Sequence, residues 1–599
     1  MAKHSAIRRT KRRFQGNQYT ECKKRKTEES TDVGKERQQA ATSSTTTNPV
    51  QSTTHKSVSF KKIGPTNTVE DQTFNQPSIT GYRLVDMELL ANVFSSLGCA
   101  ECGHFTLAFM ENHLARKGCS SSLKLLCENC GWKQEFCSSK KQGKSFEVNR
   151  RLVYSMRSLG KGHSGAKKFC TLMNMPPPPV KCAYRKASRS IAKKIKGIAK
   201  KSMAEAATEI RNAQGASGDE VVNCGVSCDG TWQRRGFSSL NGCIAVLSIE
   251  SGKVLDAEAL TKVCKQCQLH FHMDKESEEY RSWKADHVNC KANFDGSAPA
   301  MEAEGAQRIF ERSIENNQLR YTELYGDGDS KSHQQVKDII QQMYLKFKKK
   351  QCIGHVQKRV GTALRKLKKE DSKLGGKGKL TNHMIDKLQN YYGIAIRSNV
   401  GNLEGMKKAV AASLFHCASS DKRPLHEHCP SGELSWCAYQ QGKAKGVPNE
   451  HKHGPGLPLE VIAKVKPIYQ RLSQDDLLQK CLHGKTQNQN ESLNGMIWQR
   501  VPKEVFVGRE LLEFGMCDAI SHFNMGAKTI LKLLEELNIS SGKYTQQGCD
   551  VLDKERIYVA EYKEKDSSKK RRKVLRGKKK KKEDKKQKAE GKTYAAGAF

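Results

Sequence analysis

The sequence predicts a multidomain α/β protein: a mixed sheet carrying inserted segments, a small cysteine-rich module ahead of it, and disordered basic tails at both ends. Two observations lead there. Residues 221–260 hold three short apolar runs, VVNCGVSCDGTW, CIAVLSIES and KVLDAEAL, the last two flanking a Ser-Gly turn as a hairpin does. Helical and strand patterns then alternate downstream, while Cys-x2-Cys pairs cluster apart from the apolar runs.

The tails come first in chain order. Residues 1–80 are rich in Ser, Thr, Gln and Lys and poor in apolar side chains, and they contain IRRTKRR (7–13) and KKRK (23–26). Such a composition cannot bury enough apolar surface to offset chain ordering, so disorder is expected. Residues 560–599 mirror it, with KKRRKVLRGKKKKKEDKK at 569–586. Both ends suit nuclear localisation or phosphate binding, against the plainer reading of solvated charge. The whole chain of 599 residues has 105 Lys+Arg against 63 Asp+Glu, a formal charge of +42. A polyanion, nucleic acid above all, is the expected partner. No run approaches the roughly 18 apolar residues of a membrane span, and MAKHSAIRRTKRRF has no apolar signal region. The 22 cysteines are therefore expected to be reduced, and clustered ones to bind metal.

Residues 82–140 predict a zinc ribbon-like module. GCAECGHF (98–105) and LKLLCENCGW (123–132) each place two thiolates on one turn, so Cys99, Cys102, Cys127 and Cys130 make a tetrahedral set, with Cys119 and Cys137 as spare thiols. Residues 141–215 predict helices, over VNRRLVYSMRSLG, after the GKGH break, and over 187–213. They suit either a helix-turn-helix DNA reader or ordinary packed helices.

Residues 218–545 form the expected core. The first strand ends in Asp229, a helix covers 303–317, and a fourth strand, RYTELYGDGDS, runs into Asp327 and Asp329. That order brings Asp229 and the later acids to one sheet edge. A strand at 345–357 and a basic helix follow. An interruption at about 261–300 carries Cys264, Cys267, His287 and Cys290, a second zinc set. A third cluster, at 416–437, holds His416, Cys417, His426, His428, Cys429 and Cys437, with no unique ligand set. Residues of about 360–480 read as a Lys-rich helical insertion, and 508–539 as closing helices.

Four pieces in this order, CDGTW (228–232), GDGDSKSH (326–333), CIGHVQKR (352–359) and NESLN (490–494), resemble the Mutator-like transposases. SAPAMEAEGA and HCPSGELSWC are similar to an animal-type branch of that family, and the resemblance spans about 82–545. It implies an RNase H-like catalytic core with a DDE carboxylate set. By position the set falls on Asp229, Asp327 and Glu491, with Asp329 a close rival to Asp327. It implies a DNA transposase that cleaves at terminal inverted repeats and transfers the strand to target DNA. A pair of Mg2+ or Mn2+ ions would serve the carboxylates, and structural Zn2+ the cysteine clusters. Two DNA ends call for at least two active sites, hence a homo-oligomer on double-stranded DNA.

Alone, Glu491 reads as a first-turn helix acid behind an Asn490 N-cap. With the resemblance it becomes the third carboxylate, on a helix anchored by Leu493, Met496, Ile497 and Trp498. Cys352 and His355 are either half of a metal site or structural and phosphate-orienting groups. The rival functions are a domesticated, non-cutting DNA-binding nuclear protein and a zinc-dependent RNA-binding or structural protein.

Overall fold

The computed structural model describes residues 57–65, 79–234, 239–326, 348–446 and 456–590, all in one compact unit. Most of the expected N-terminal tail lies outside these residues, but 57–65 is ordered. Ser57 caps α1 (Val58–Ile63), its Oγ accepting the Phe60 N–H, and Lys62 and Ile63 are buried. The segment holds three apolar residues in six, which an average over the whole tail conceals. The other tail departs further. Instead of disorder from residue 560, the described chain continues through two helices to Glu590. Lys, Arg and Glu favour helix intrinsically, and this stretch has no proline. Propensity rather than apolar burial carries it.

The cysteine-rich module is a three-stranded antiparallel sheet of β1 (Leu107–Glu111), β2 (Ser122–Cys127) and β3 (Lys133–Cys137). The helix α2 (Met87–Ser95), capped by Asp86, lies on β1, with Phe94 against Phe109. Its buried apolar set is small: Cys99, Leu107 and Cys127 cluster together, and Leu123 and Leu125 of β2 are also buried.

Three helices lead to the core: α3 (Glu147–Ser158), α4 (His163–Leu172) and α5 (Lys181–Ala213). The packed-helix reading holds for α3, whose Val153, Tyr154 and Met156 join the main hydrophobic core. One stripe of α5, through Ile191, Ile195, Ile198 and Ala199, joins the same core, leaving lysines outward.

The core sheet has β4 (Val222–Trp232), β5 (Asn241–Ser248), β6 (Val254–Thr261), β7 (Leu319–Gly326) and β8 (Lys348–Gln351), in the order β8-β7-β4-β5-β6. The strands β4, β5 and β6 are antiparallel, and β7 and β8 add in parallel on the other side of β4. Between β6 and β7 come α6 (Lys265–Leu269), α7 (Glu278–Asp286), α8 (Ala300–Glu311) and α9 (Ser313–Asn317).

After β8 comes a helical body with its own core: α10 (Ile353–Glu370), α11 (Asn382–Arg397), α12 (Leu403–Ala418), α13 (Ala438–Ala444), α14 (Leu459–Leu472) and α15 (Asp475–Gln479). Ile353, Tyr392, Val410, Val465 and Cys481 share that core, so the insertion begins at CIGH, earlier than residue 360. The closing helices are α16 (Asn488–Arg500), α17 (Arg509–Met525), α18 (Lys528–Glu536), α19 (Lys543–Glu564) and α20 (Asp566–Glu590).

Period-two alternation divides the sheet's faces. Val226 and Cys228 pack with Met301 and Phe310 of α8. Cys243, Ala245 and Leu247 of β5 face α5, α16 and α17. Beneath the second face, Asp518 is fully buried, paired with Arg500 and accepting the Tyr154 hydroxyl at 3.0 Å. It ties α3, α16 and α17 together. Asp518→Asn strands the Arg500 guanidinium and is expected to cost roughly 3–5 kcal/mol in a denaturant melt. A cost below 1 kcal/mol would show that the network is dispensable.

Candidate catalytic and metal sites

The strand β4 and the helix α16 meet residue for residue. Ser227, Asp229 and Thr231 alternate onto one face of β4, rising about 6.6 Å per pair. Asn490, Asn494 and Trp498 lie one above another on α16, about 6 Å apart. The two spacings match, and three hydrogen bonds join them. Ser227 Oγ donates to Asn490 Oδ1 at 2.8 Å, Asn494 Nδ2 to Asp229 Oδ2 at 2.8 Å, and Trp498 Nε1 to Thr231 Oγ1 at 2.8 Å. Gln487 extends the row, donating to the Cys228 carbonyl at 3.0 Å. Three amides of TQNQNESLN, those of Gln487, Asn490 and Asn494, are thus fasteners between helix and sheet. Asn490 is not the N-cap the sequence suggests: the helix begins at Asn488, and Asn490 is buried inside it. Buried strand carbonyls need donors, and amides supply them without charge.

Leu493 and Ile497 are fully buried, as expected, with Met496 and Trp498 packed beside them. Glu491 is left exposed in the first turn. Asp327 and Asp329 lie outside the described residues. The chain reaches Gly326 at the end of β7, where Tyr325 pairs with Ser227, two residues before Asp229.

A fourth acid, Glu302 on α8, was missed at the sequence level. A Cβ on Gly230 would sit 2.9 Å from Glu302 Cγ, so only glycine lets this side chain lie across the strand. It sits inside the SAPAMEAEGA segment, but nothing in that segment links it to Asp229, because the signal is the missing side chain at Gly230. Asp229 is pushed up to about 7, first by burial, then by Glu302, with Glu491 adding a smaller push. Asn494 and His355 pull the other way. The unfolded carboxyl ionises near 4, so the folded chain binds the extra proton between about 4 and 7. Stability therefore falls as pH rises through that window. In chelator at pH 8, Asp229→Asn and Glu302→Gln are each expected to raise the Tm, and the gain should vanish near pH 4. An unchanged Tm at pH 8 would remove the charge crowding.

Cys352 and His355 sit at the start of α10. Cys352 is buried, its N–H donates to the Gly326 carbonyl at 3.3 Å, and its Sγ accepts the Gln487 N–H at 3.4 Å. It joins the end of β7 to the approach to α16. Among the described residues neither Cys352 nor His355 belongs to a metal-ligand cluster.

Lys62 of α1 also reaches α16. Its Nζ donates to Gln489 Oε1 at 3.0 Å and lies 3.3 Å from the Phe523 ring centroid. Burial, then Arg556 and Lys253, pulls the amine down to about 6, while the Phe523 ring face favours the cation. The unfolded amine holds its proton to about 10.4, so docking of α1 should tighten as pH rises from 6 towards 10. Limited proteolysis at residues 57–65 should slow accordingly, and Lys62→Met should flatten the trend. Equal slopes in both proteins would exclude Lys62 as the cause.

The two predicted zinc sets assemble. In the ribbon, Cys99 and Cys130 sulfurs are 3.7 Å apart and Cys102 and Cys127 sulfurs 3.6 Å apart, near the ~3.8 Å edge of a tetrahedron with 2.3 Å Zn–S bonds. Gly103 and Gly131, both at positive φ, close the two turns. The spare thiols stand aside: Cys119 lies against Cys170, and Cys137 is exposed. In the second set, Cys264 Sγ is 3.3 Å from His287 Nε2 and Cys267 Sγ 3.5 Å from Cys290 Sγ, with Trp283 stacked on His287. The ligand atoms of each set lie within 4.8 Å of one another, so both can hold a structural zinc.

A family model for Mutator-like transposases matches residues 81–437, more than half of the chain. The chain belongs to the Mutator-like transposase family. No curated protein matches it. The family's span covers the ribbon, α3 to α5, the whole core sheet and the insertion as far as Cys437. Helix α16 and Glu491 of this Mutator-like transposase lie beyond it. Membership implies transposition chemistry and DNA binding in general terms. No helix among its described residues is long and apolar enough to cross a membrane.

Proposed function

We propose that the protein is a DNA transposase that cuts phosphodiester bonds at terminal inverted repeats and joins the freed strand to target DNA, in the nucleus and as a homo-oligomer. Asp229, Asp327 and Glu491 are its assigned catalytic acids. The observation that carries this reading is the β4–α16 match. It seats Asp229 beside the helix that bears Glu491, at the end of the sheet where β7 leads into Asp327. The strand order, three antiparallel strands followed by two parallel ones, agrees with an RNase H-like core.

The chemistry of the donor set suits hard divalent cations, although among the described residues Asp229, Glu302 and Glu491 do not by themselves gather as one ligand cluster and Asp327 lies outside them. It offers carboxylate oxygens, which Mg2+ and Mn2+ prefer, and Glu302 and Glu491 both raise the Asp229 carboxyl. A bound pair of such ions supplies an activated water and charge neutralisation at the leaving oxygen. The chain's own residues do the rest. Asn494 fixes the rotamer of Asp229 through Oδ2. Glu491 is free of that row of bonds and faces outward, where a phosphodiester can approach. Lysines on the outer face of α5 offer phosphate contacts, with the steep salt dependence these bring.

The test is cleavage of a labelled duplex carrying the element's own end, with Mn2+ or Mg2+, comparing wild type with Asp229→Asn. Cutting by wild type alone, with equal binding by both, supports the reading. Binding without cutting by either protein moves the domesticated DNA-binding reading ahead.

A further inference from the structure

We propose that His416, His426, Cys429 and Cys437 form a third zinc site, set in the helical insertion and separate from the catalytic acids. Six Cys and His residues crowd this part of the sequence, and the fold selects four. His416 lies in the last turn of α12, His426 and Cys429 in the loop after it, and Cys437 at the N-cap of α13. Their ligand atoms lie within 4.8 Å of one another. Cys417 turns instead into the apolar core of the insertion, and His428 packs beside Phe415.

The distances are those of a coordination sphere. Tetrahedral zinc with Zn–S near 2.3 Å and Zn–N near 2.0 Å sets sulfur and nitrogen about 3.5 Å apart. Here His426 Nδ1 is 3.3 Å from Cys437 Sγ and 3.7 Å from Cys429 Sγ, and His416 Nδ1 is 3.7 Å from both sulfurs. Both imidazoles thus present Nδ1 to the same two sulfurs. The other nitrogen of His426, Nε2, lies 2.9 Å from Ser419 Oγ, which also accepts the Leu425 N–H at 2.9 Å. An oxygen partner on the far nitrogen orients a ligating histidine and leaves the near nitrogen for the metal. Tyr439 stacks on His426 at 4.4 Å, and Gln440 Nε2 donates to the His426 carbonyl at 2.8 Å.

Burial says what the site is for. Cys437, His426 and Cys429 are buried, yet the apolar cluster around them holds little beyond Ala412 and the two cysteines. Such a cluster is too small to hold a loop, so the ion takes the place of a core. Four protein ligands close the coordination sphere, which makes the site structural rather than catalytic. It clamps residues 419–437 to the end of α12 and so fixes the surface that carries Leu434 and Trp436, both exposed.

The test is the metal content of the purified full-length chain, with Co2+ substitution as a spectroscopic readout and DNA cleavage playing no part. Wild type is expected to carry three zinc ions per chain, Cys437→Ser two, and Cys99→Ser two. His416→Cys should keep three ions while moving the Co2+ bands towards those of a three-sulfur site, an outcome that does not depend on how well Cys437→Ser folds. Two ions in wild type, or a Co2+ spectrum that His416→Cys leaves unchanged, overturns the proposal.

Discussion

Glu491→Gln is expected to bind its DNA end as tightly as wild type and to cut it about a thousandfold more slowly, a loss of roughly 4 kcal/mol of transition-state stabilisation. The change keeps side-chain size and removes one charge. The side chain is exposed, and the helix is fastened to β4 through Gln487, Asn490, Asn494 and Trp498, none of which the substitution touches. Folding should therefore be unaffected, and the Tm should stay within a degree or two. Single-turnover cleavage under saturating protein separates the chemical step from binding. Cutting within threefold of wild type would reduce Glu491 to a first-turn acid serving the helix dipole.

Cys127→Ser carries the second large effect, this time on structure. The ribbon buries few apolar side chains: Cys99, Leu107 and Cys127 cluster together, with Cys102 and Trp132 partly covered, and β2 adds Leu123 and Leu125. Its β3 is exposed along its whole length. A module this small does not fold on apolar burial, whereas structural zinc sites contribute on the order of 10–16 kcal/mol. Loss of one thiolate is expected to unfold residues 98–137 while the core sheet stays folded. Hydrogen exchange should show fast amides throughout β1 to β3 and unchanged protection in β4 to β6. Native protection of β2 in the variant would mean that the fold stands without metal.

The metal clusters were legible because ligand chemistry imposes short local spacings, such as Cys99-x2-Cys102 and Cys264-x2-Cys267. The strands β4 to β6 were legible through alternation, and α5 through its apolar stripe. The helix α16 was only half legible. Leu493 and Ile497 announced its buried side, but the row Gln487, Asn490, Asn494 reads as polar surface until β4 is placed against it. Glu302 and Lys62 were hidden for a similar reason. Each acts through a neighbour far away in sequence, Gly230 and Gln489, and nothing local links the two members of either pair. The basic C-terminal stretch misled in the opposite sense. Charge density argued for disorder, while the intrinsic helix preference of Lys, Arg and Glu prevailed over 566–590.

A phosphorothioate at the scissile phosphate tests the central assignment most directly, because it asks whether a carboxylate-held cation touches the reacting group. Sulfur is a poor ligand for Mg2+ and a better one for Mn2+. Wild type is expected to fail to cut the modified end in Mg2+ and to cut it in Mn2+, and Asp229→Asn to cut it in neither. Equal cutting of the modified and natural ends in Mg2+, or any cutting in chelator, would contradict the assignment.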